Sequence, residues 1–298
     1  MIKKDACIGF PNKSLIVRSF DRSANLFNNS DIVHSEIRDR LIDRLKFFNL
    51  EPKIILDLGA ATGKSSLKLN KLFPTSKVIA MDNSLEMNRV SSKYFLKNPN
   101  VSVLYGDAEM IPLMDSCVDL VFSNLLLPWC DTSVIFSEVS RILKNDGLFI
   151  FSSVGPDTLS ELRKAWSTID SLVHVHGFLD MHDLGDMLIK ANLLDPVLDI
   201  NRLSITYNNI TSLISDIRSC GASNIAEGRR TSLTGKEKWN AFCRNIELEN
   251  KGSGFNITIE AIFGHAWHSK KTISNDPSYK LISLEGIKNY EARDKKNS

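Results

Sequence analysis

Three carboxylates recur at the ends of apolar runs. Asp57 lies in Ile54-Ile55-Leu56-Asp57-Leu58, Asp82 closes Val78-Ile79-Ala80-Met81-Asp82, and Asp107 follows the run Val101–Tyr105. Gly59-Ala60-Ala61-Thr62-Gly63 comes straight after the first, small residues where a strand turns into a helix. This series suits a ligand with a nucleoside at one end and an amino acid at the other. Glycine at 59 and 63 allows a tight turn and close backbone approach. The helix that follows offers unpaired N–H groups and a partial positive charge to a carboxylate. Asp57 is placed to hold the loop backbone or to receive an ammonium through water. Asp82, followed by Asn83, is placed to accept two ribose hydroxyls, and Asp107 to accept an adenine amino group beside the N–H of Ala108. Asn124 closes a further apolar run, Val118–Ser123, next to where a reacting group would sit.

Singly, each feature has an ordinary reading. Asp82 before Asn83-Ser84 is also a helix cap, and Asp107 is also a turn former. Together and in order they specify a cofactor along the carboxyl edge of an α/β sheet. A dinucleotide would need the longer G-x-G-x-x-G loop for its pyrophosphate. Residues 59–63 supply no such cradle, so the reading is S-adenosylmethionine and methyl transfer. A metal is not expected, because His174, His176 and His182 have no nearby cysteine or clear third ligand.

The elements that must carry these groups alternate. Strands are predicted at 53–58, 77–82, 101–105, 118–123 and 148–153, with helices at 63–73, 84–96 and 132–144 between them. Alternation of this kind predicts a Rossmann-like α/β fold, a mostly parallel seven-stranded sheet with helices on both faces. Two amphipathic helices, 16–29 and 31–48, precede the core, and Phe20 and Phe27 are placed to close over the cofactor. After Val154 the rhythm changes. Asp157 is expected to cap a helix reaching Asp170, and helices are predicted at 180–192, 209–220 and 235–249, with strands at 196–207 and 255–266. The expectation is one domain over 1–298. It has a core at about 50–154, N-terminal helices at 16–48, and helical lid insertions at about 155–179 and 208–250.

Composition sets outer limits. The chain has 298 residues and a net charge of +2, so nothing pulls it strongly toward nucleic acid or membrane. Its apolar runs are strand-sized, short of the ~20 residues of a membrane helix. Five scattered cysteines (Cys7, Cys117, Cys130, Cys220, Cys243) suit a reducing compartment, and the N-terminal residues lack a leader's apolar core. A cytoplasmic protein is expected, with no preference as to oligomeric state. The tail from Ser269 is polar and lysine-rich.

At the strand–loop series the chain resembles class I S-adenosylmethionine-dependent methyltransferases. Five segments sharpen the likeness: DAEMIPLMDSCVDLVFSNLLLPWC (107–130), RILKNDG (141–147), GPDTLSELRKAW (155–166), FLDMHDLGD (178–186) and GASNIAEGR (221–229). Together they resemble the malonyl-carrier-protein O-methyltransferases of biotin synthesis, the BioC family, from about Val17 to Trp267. The 155–186 segment is partly shared with complex I assembly factors that hydroxylate a protein arginine. An assembly-factor-like role, or cofactor binding without catalysis, is therefore the competing reading. Ala61 stands where the family has glycine, and Pro128 where it has a polar residue.

The resemblance implies a malonyl thioester on acyl-carrier protein, or on coenzyme A, as substrate. Its carboxylate is the methyl acceptor. Arg163 and Arg229, both in family-like lid segments, become the candidate carboxylate anchors, and Trp129 is expected to line the site. A basic cluster of Arg229, Arg230, Lys236 and Lys238, extended by Lys164 and Lys190, is the expected docking surface for an acidic carrier.

Overall fold

The computed structural model describes residues 12–249 and 254–269. Cys7, the N-terminal residues read as lacking a leader, and the lysine-rich tail beyond 269 lie outside them. The N-terminal part holds α1 (Lys13–Ser23), α2 (Phe27–Ser30) and α3 (Ile32–Leu45). The alternating part runs β1 (Ile54–Leu58), α4 (Lys64–Leu72), β2 (Lys77–Asp82), α5 (Leu85–Phe95), β3 (Val101–Tyr105), β4 (Val118–Asn124), a 3-10 turn η1 (Leu127–Trp129), α6 (Thr132–Ile142) and β5 (Leu143–Val154). The remainder is α7 (Ser160–Ser167), α8 (Met181–Lys190), β6 (Leu193–Tyr207), α9 (Ile210–Ser219), α10 (Lys236–Glu249) and β7 (Phe255–His268).

All seven strands form one sheet in the order β3-β2-β1-β4-β5-β7-β6. The first five are parallel; β7 runs antiparallel to both β5 and β6. Strand order reverses between β1 and β4, and the crevice at such a switch point is where open α/β sheets bind ligands. Alternate strand residues feed two cores. Ile55, Val78, Leu120, Phe122 and Ile150 pack with α3 through Ile37, Leu41 and Leu45, and with Leu69 of α4. Leu56, Leu58, Val121, Phe149 and Phe151 pack on the other side with α6 and α8 through Ile135, Phe136, Val139, Leu184 and Leu188. Burial on both faces explains why these strands read as near-continuous apolar runs.

Two local expectations are corrected. The predicted 16–29 helix is two helices, and α1 starts earlier because Asn12 caps it by accepting the N–H of Ser14. Asp157 does not cap α7. Its carboxylate accepts from Arg202 (2.6 Å), its N–H donates to Glu260 of β7 (2.8 Å), and α7 begins only after Leu159 turns through φ +57°.

Candidate active site

The loop after β1 is laced to β2. The N–H groups of Gly59 and Ala60 both donate to the Met81 carbonyl, at 2.9 and 3.0 Å. Gly59 and Gly63 have φ of +77° and +81°, values that L side chains avoid. Ala61 is also left-handed, at φ +47°, and its N–H donates to Asp82 Oδ2 at 2.9 Å. Asp82 Oδ1 accepts from Ser84 N–H at 2.8 Å. Burial raises the Asp82 pKa, against these backbone bonds. Each of its oxygens keeps a second lone pair for a hydroxyl, and Asn83 follows, half-buried.

Asp57 is buried and accepts the Ser66 hydroxyl, tying β1 to α4. Burial pushes it up to about 7, against the pull of Ser66 and with help from the neighbouring charge of Asp82. Asp107, after β3, accepts Glu109 N–H at 2.9 Å and the Lys13 ammonium at 2.7 Å; Ala108 beside it is buried. Lys13 was not among the expected site residues. Its one legible signal is the Asn12 cap, which places it in the first turn of α1.

Asn124 stands at the switch point. Its Oδ1 accepts the Ser152 hydroxyl (2.8 Å) and its amide donates to the carbonyl of His34 (3.2 Å). His34 Nδ1 is buried without a hydrogen-bond partner among the described residues. Burial pulls this imidazole down to about 4, so it is neutral at ordinary pH. Phe27 meets the His34 ring edge-on at 5.1 Å and packs with Ala24, Met87 and Cys220, a cluster that also receives the Ala61 methyl.

Past His34 opens a cavity of about 660 Å³. Its walls are apolar: Leu159, Leu162 and Trp166 from α7 and its approach, Leu213 and Ile217 from α9, Trp239 and Phe242 from α10. Ile205, Ile257 and Ile259 of β6 and β7 line it as well. Trp129 also lines it, edge-on to Phe20 of α1 (5.3 Å) and to His176 (5.5 Å). Pro128 is at the start of η1, where a missing N–H costs nothing. Arg229 and Arg230 both line the cavity, and Arg230 Nε is buried there without a partner among the described residues. A charged donor in that state is costly unless a ligand meets it.

Arg163 stands apart from the cavity. Its guanidinium donates to the carbonyls of Thr158 (2.7 Å), His176 (3.3 Å) and Pro156, and it is not among the residues lining the cavity. From α7 it thus ties that helix to the Pro156–Thr158 turn and to the segment at His176. The docking cluster also divides: Lys238 pairs with Asp170 at 2.9 Å, while Arg229 and Arg230 face the cavity. His174 stacks on Trp166 with centroids 3.8 Å apart and holds Asp170 at 2.7 Å. Among the described residues, no group of three or more His, Cys, Asp or Glu side chains could hold a metal. Nor is any described helix long and apolar enough to cross a membrane.

The donor set fits S-adenosylmethionine. Carboxylates end β2 and follow β3, where ribose and adenine need acceptors. The lysine at the start of α4, Lys64, is paired with Asp31 at 2.9 Å, which leaves no free cation there for a pyrophosphate. A Cβ on Gly59 would meet the Leu126 side chain at 3.0 Å and sit at φ +77°, so any substitution there is strained and requires Leu126 to shift.

Comparison with known proteins agrees with this geometry. Residues 56–151 match the family model described as a methyltransferase domain. A malonyl-[acyl-carrier protein] O-methyltransferase of Nitrosospira multiformis is 36% identical over 275 residues, 87% of this chain and 90% of that protein. The solved YcgJ protein of Bacillus subtilis superposes with a TM-score of 0.57 at 19% identity, covering 77% of this chain and 98% of that one. A Haemonchus contortus phosphoethanolamine N-methyltransferase, solved with S-adenosyl-L-methionine, gives a TM-score of 0.51 at 18% identity, covering 78% and 53%.

Proposed function

The chain belongs to the malonyl-[acyl-carrier protein] O-methyltransferase family, and from that premise we propose that it methylates the free carboxylate of a malonyl thioester carried on acyl-carrier protein. It is an S-adenosylmethionine-dependent methyltransferase. The methyl ester masks the charge, so that chain-elongating enzymes accept the malonyl unit as a primer for the pimeloyl portion of biotin. We place this activity in the cytoplasm, on the scattered cysteines, which are free at 117, 130, 220 and 243.

The observation that carries the reading is the Nε of half-buried Arg230, enclosed without a partner among the described residues at a largely apolar cavity that adjoins the cofactor edge. Arg230, with Arg229 beside it, offers the paired donors a carboxylate needs when it leaves water. His34 supplies a second unsatisfied nitrogen at the Asn124 end of the same cavity. The cofactor is held by Asp82, Asp107 and the 59–63 loop, with Asn83, Ala108, Asn124 and Phe27 around it. When bound, it supplies an electrophilic methyl group on a sulfonium.

The acceptor needs no general base. A carboxylic acid of pKa ~4 is already ionised at neutral pH. This chain's contribution is to hold and align the acceptor, which is worth up to about 7–11 kcal/mol in favourable systems. Trp129, Phe178 and the α7 wall give the acceptor an apolar surround. Methylation removes the negative charge, so the product loses its ion pair with Arg230 and leaves.

The test is incubation of the purified protein with labelled S-adenosylmethionine and malonyl-carrier protein, followed by mass analysis of the acyl arm. One added methyl, labile to mild esterase, is expected. Cofactor binding without transfer to any malonyl thioester would overturn the proposal.

A further inference from the structure

A second hollow, of about 380 Å³, lies between α1 and the end of α9. Arg18 and Arg22 enter it from α1, and Arg218 from α9. All three are exposed, and none has an ion pair or side-chain hydrogen bond with a described residue. Several other surface arginines are paired: Arg40, Arg44, Arg89, Arg141 and Arg202 all have carboxylate partners. Arg18 and Arg22 are also four apart on one helix, where like charges repel each other.

The hollow is built rather than incidental. Ser19 donates to the Gly221 carbonyl at 2.9 Å, locking α1 against the turn that ends α9. Gly221 sits at φ +73°, and a Cβ there would meet Phe20 at 2.7 Å, so the two helices approach as closely as a glycine permits. Most important, the hollow adjoins the acyl cavity, with Arg218 and Ser223 lining both.

We propose that this hollow receives the phosphodiester of the carrier's phosphopantetheine arm. The arm then passes Ser223 into the apolar cavity and presents its malonyl end toward Arg230. The inference rests on the malonyl-carrier reading above. Its chemistry is a singly charged phosphodiester met by three unpaired guanidiniums, the groups best shaped for phosphate. The adjoining cavity is lined by Leu213 and Ile217 close to Arg218, which suits the apolar part of the arm. The acidic carrier surface around the attachment point meets the same positive field. Docking therefore centres on α1 and α9, and the Arg229–Lys238 stretch is not the main surface.

The test compares wild type with the Arg18→Ala/Arg22→Ala double variant, neither residue being part of the cofactor or carboxylate site. Three substrates are used: malonyl-holo-carrier, malonyl-phosphopantetheine and malonyl-pantetheine, which lacks the phosphate. KM for the first two should rise roughly 10-fold or more in the variant, with kcat at saturation preserved and KM for malonyl-pantetheine unchanged. Calorimetry gives a readout independent of turnover: wild type should prefer unloaded holo-carrier over apo-carrier, and the variant should lose that preference. Equal KM changes on all three substrates, or none, would overturn the proposal while leaving the methyltransferase reading intact. An arginine-dependent holo-carrier preference in a protein that methylates no malonyl thioester would do the reverse. An unchanged melting midpoint in the variant excludes misfolding as the cause.

Discussion

Lys13 Nζ lies 2.7 Å from Asp107 Oδ2 and 2.7 Å from Glu109 Oε2. The first turn of α1 thus grips the loop after β3, which the proposed function assigns to the adenine. The pair keeps Asp107 ionised, its pKa lowered by Lys13 and by Glu109 N–H although burial works the other way. Asp107 is therefore acceptor-only at working pH, and in the proposed cofactor site α1 would be the strap over it.

Removing the lysine should loosen that strap. Lys13→Met is expected to speed cofactor release and weaken binding by about 2- to 5-fold, the range of a half-exposed ion pair. Trp129, edge-on to Phe20 of α1, supplies a fluorescence signal for stopped-flow release. An unchanged release rate would show that the contact does not retain the cofactor.

Arg230 and Arg163 should separate cleanly. Arg230→Ala removes the unpaired buried donor and is expected to lower kcat/KM for the malonyl substrate about 10- to 100-fold, the worth of a charge-assisted hydrogen bond, with cofactor affinity intact. Arg163→Ala abandons the carbonyls of Pro156, Thr158 and His176 and should cost about 1–3 kcal/mol of stability. Steady-state kinetics, calorimetry with the cofactor and thermal melting distinguish the two. A larger catalytic loss at Arg163 in well-folded protein would restore it as the anchor.

That exchange of roles shows where the sequence stops being informative. β1 to β5 were legible because strands buried on both faces have to be apolar, and because small residues have to follow β1. The positions of Asp57, Asp82 and Asp107 at or after strand ends were legible for the same reason. Arg229 and Arg230 are adjacent and chemically alike; only packing of α7, α9 and α10 around one cavity decides whose Nε is enclosed. Asp157 looked like a cap because local sequence favours one, yet its N–H is claimed by Glu260, 103 residues away. The hollow between α1 and α9 joins residues some 200 apart, as the Ser19–Gly221 bond does, and no local pattern announces it.

Of the three histidines at the cavity, His34 and His176 should be silent in the pH profile. Burial holds His34 at about 4 and lowers His176, whose Nε2 accepts Ile225 N–H. With a carboxylate acceptor and no base, kcat at saturating cofactor and substrate should be flat from pH 6 to 8. His34→Phe keeps the ring and removes the nitrogen, and should lower kcat/KM by about 3- to 10-fold, the range of one net hydrogen bond. A profile rising through a pKa near 6.5 would instead require an imidazole base.

Asp57 provides the last prediction, and its sign is the opposite of the usual carboxylate case. Burial raises its folded-state pKa to about 7, far above an unfolded aspartate. Between these two values the unfolded chain has released the proton and the folded chain retains it. Stability of the cofactor-free protein should therefore fall as pH rises from about 4 to 7, by an amount on the order of 2–4 kcal/mol at most. Asp57→Asn carries no ionisable group and can still accept the Ser66 hydroxyl, so it should flatten this slope. Urea melts of wild type and variant at pH 5 and pH 8 make the comparison. Equal pH dependence in the two proteins would mean that Asp57 stays ionised in the fold, paired in a way the Ser66 contact alone does not provide.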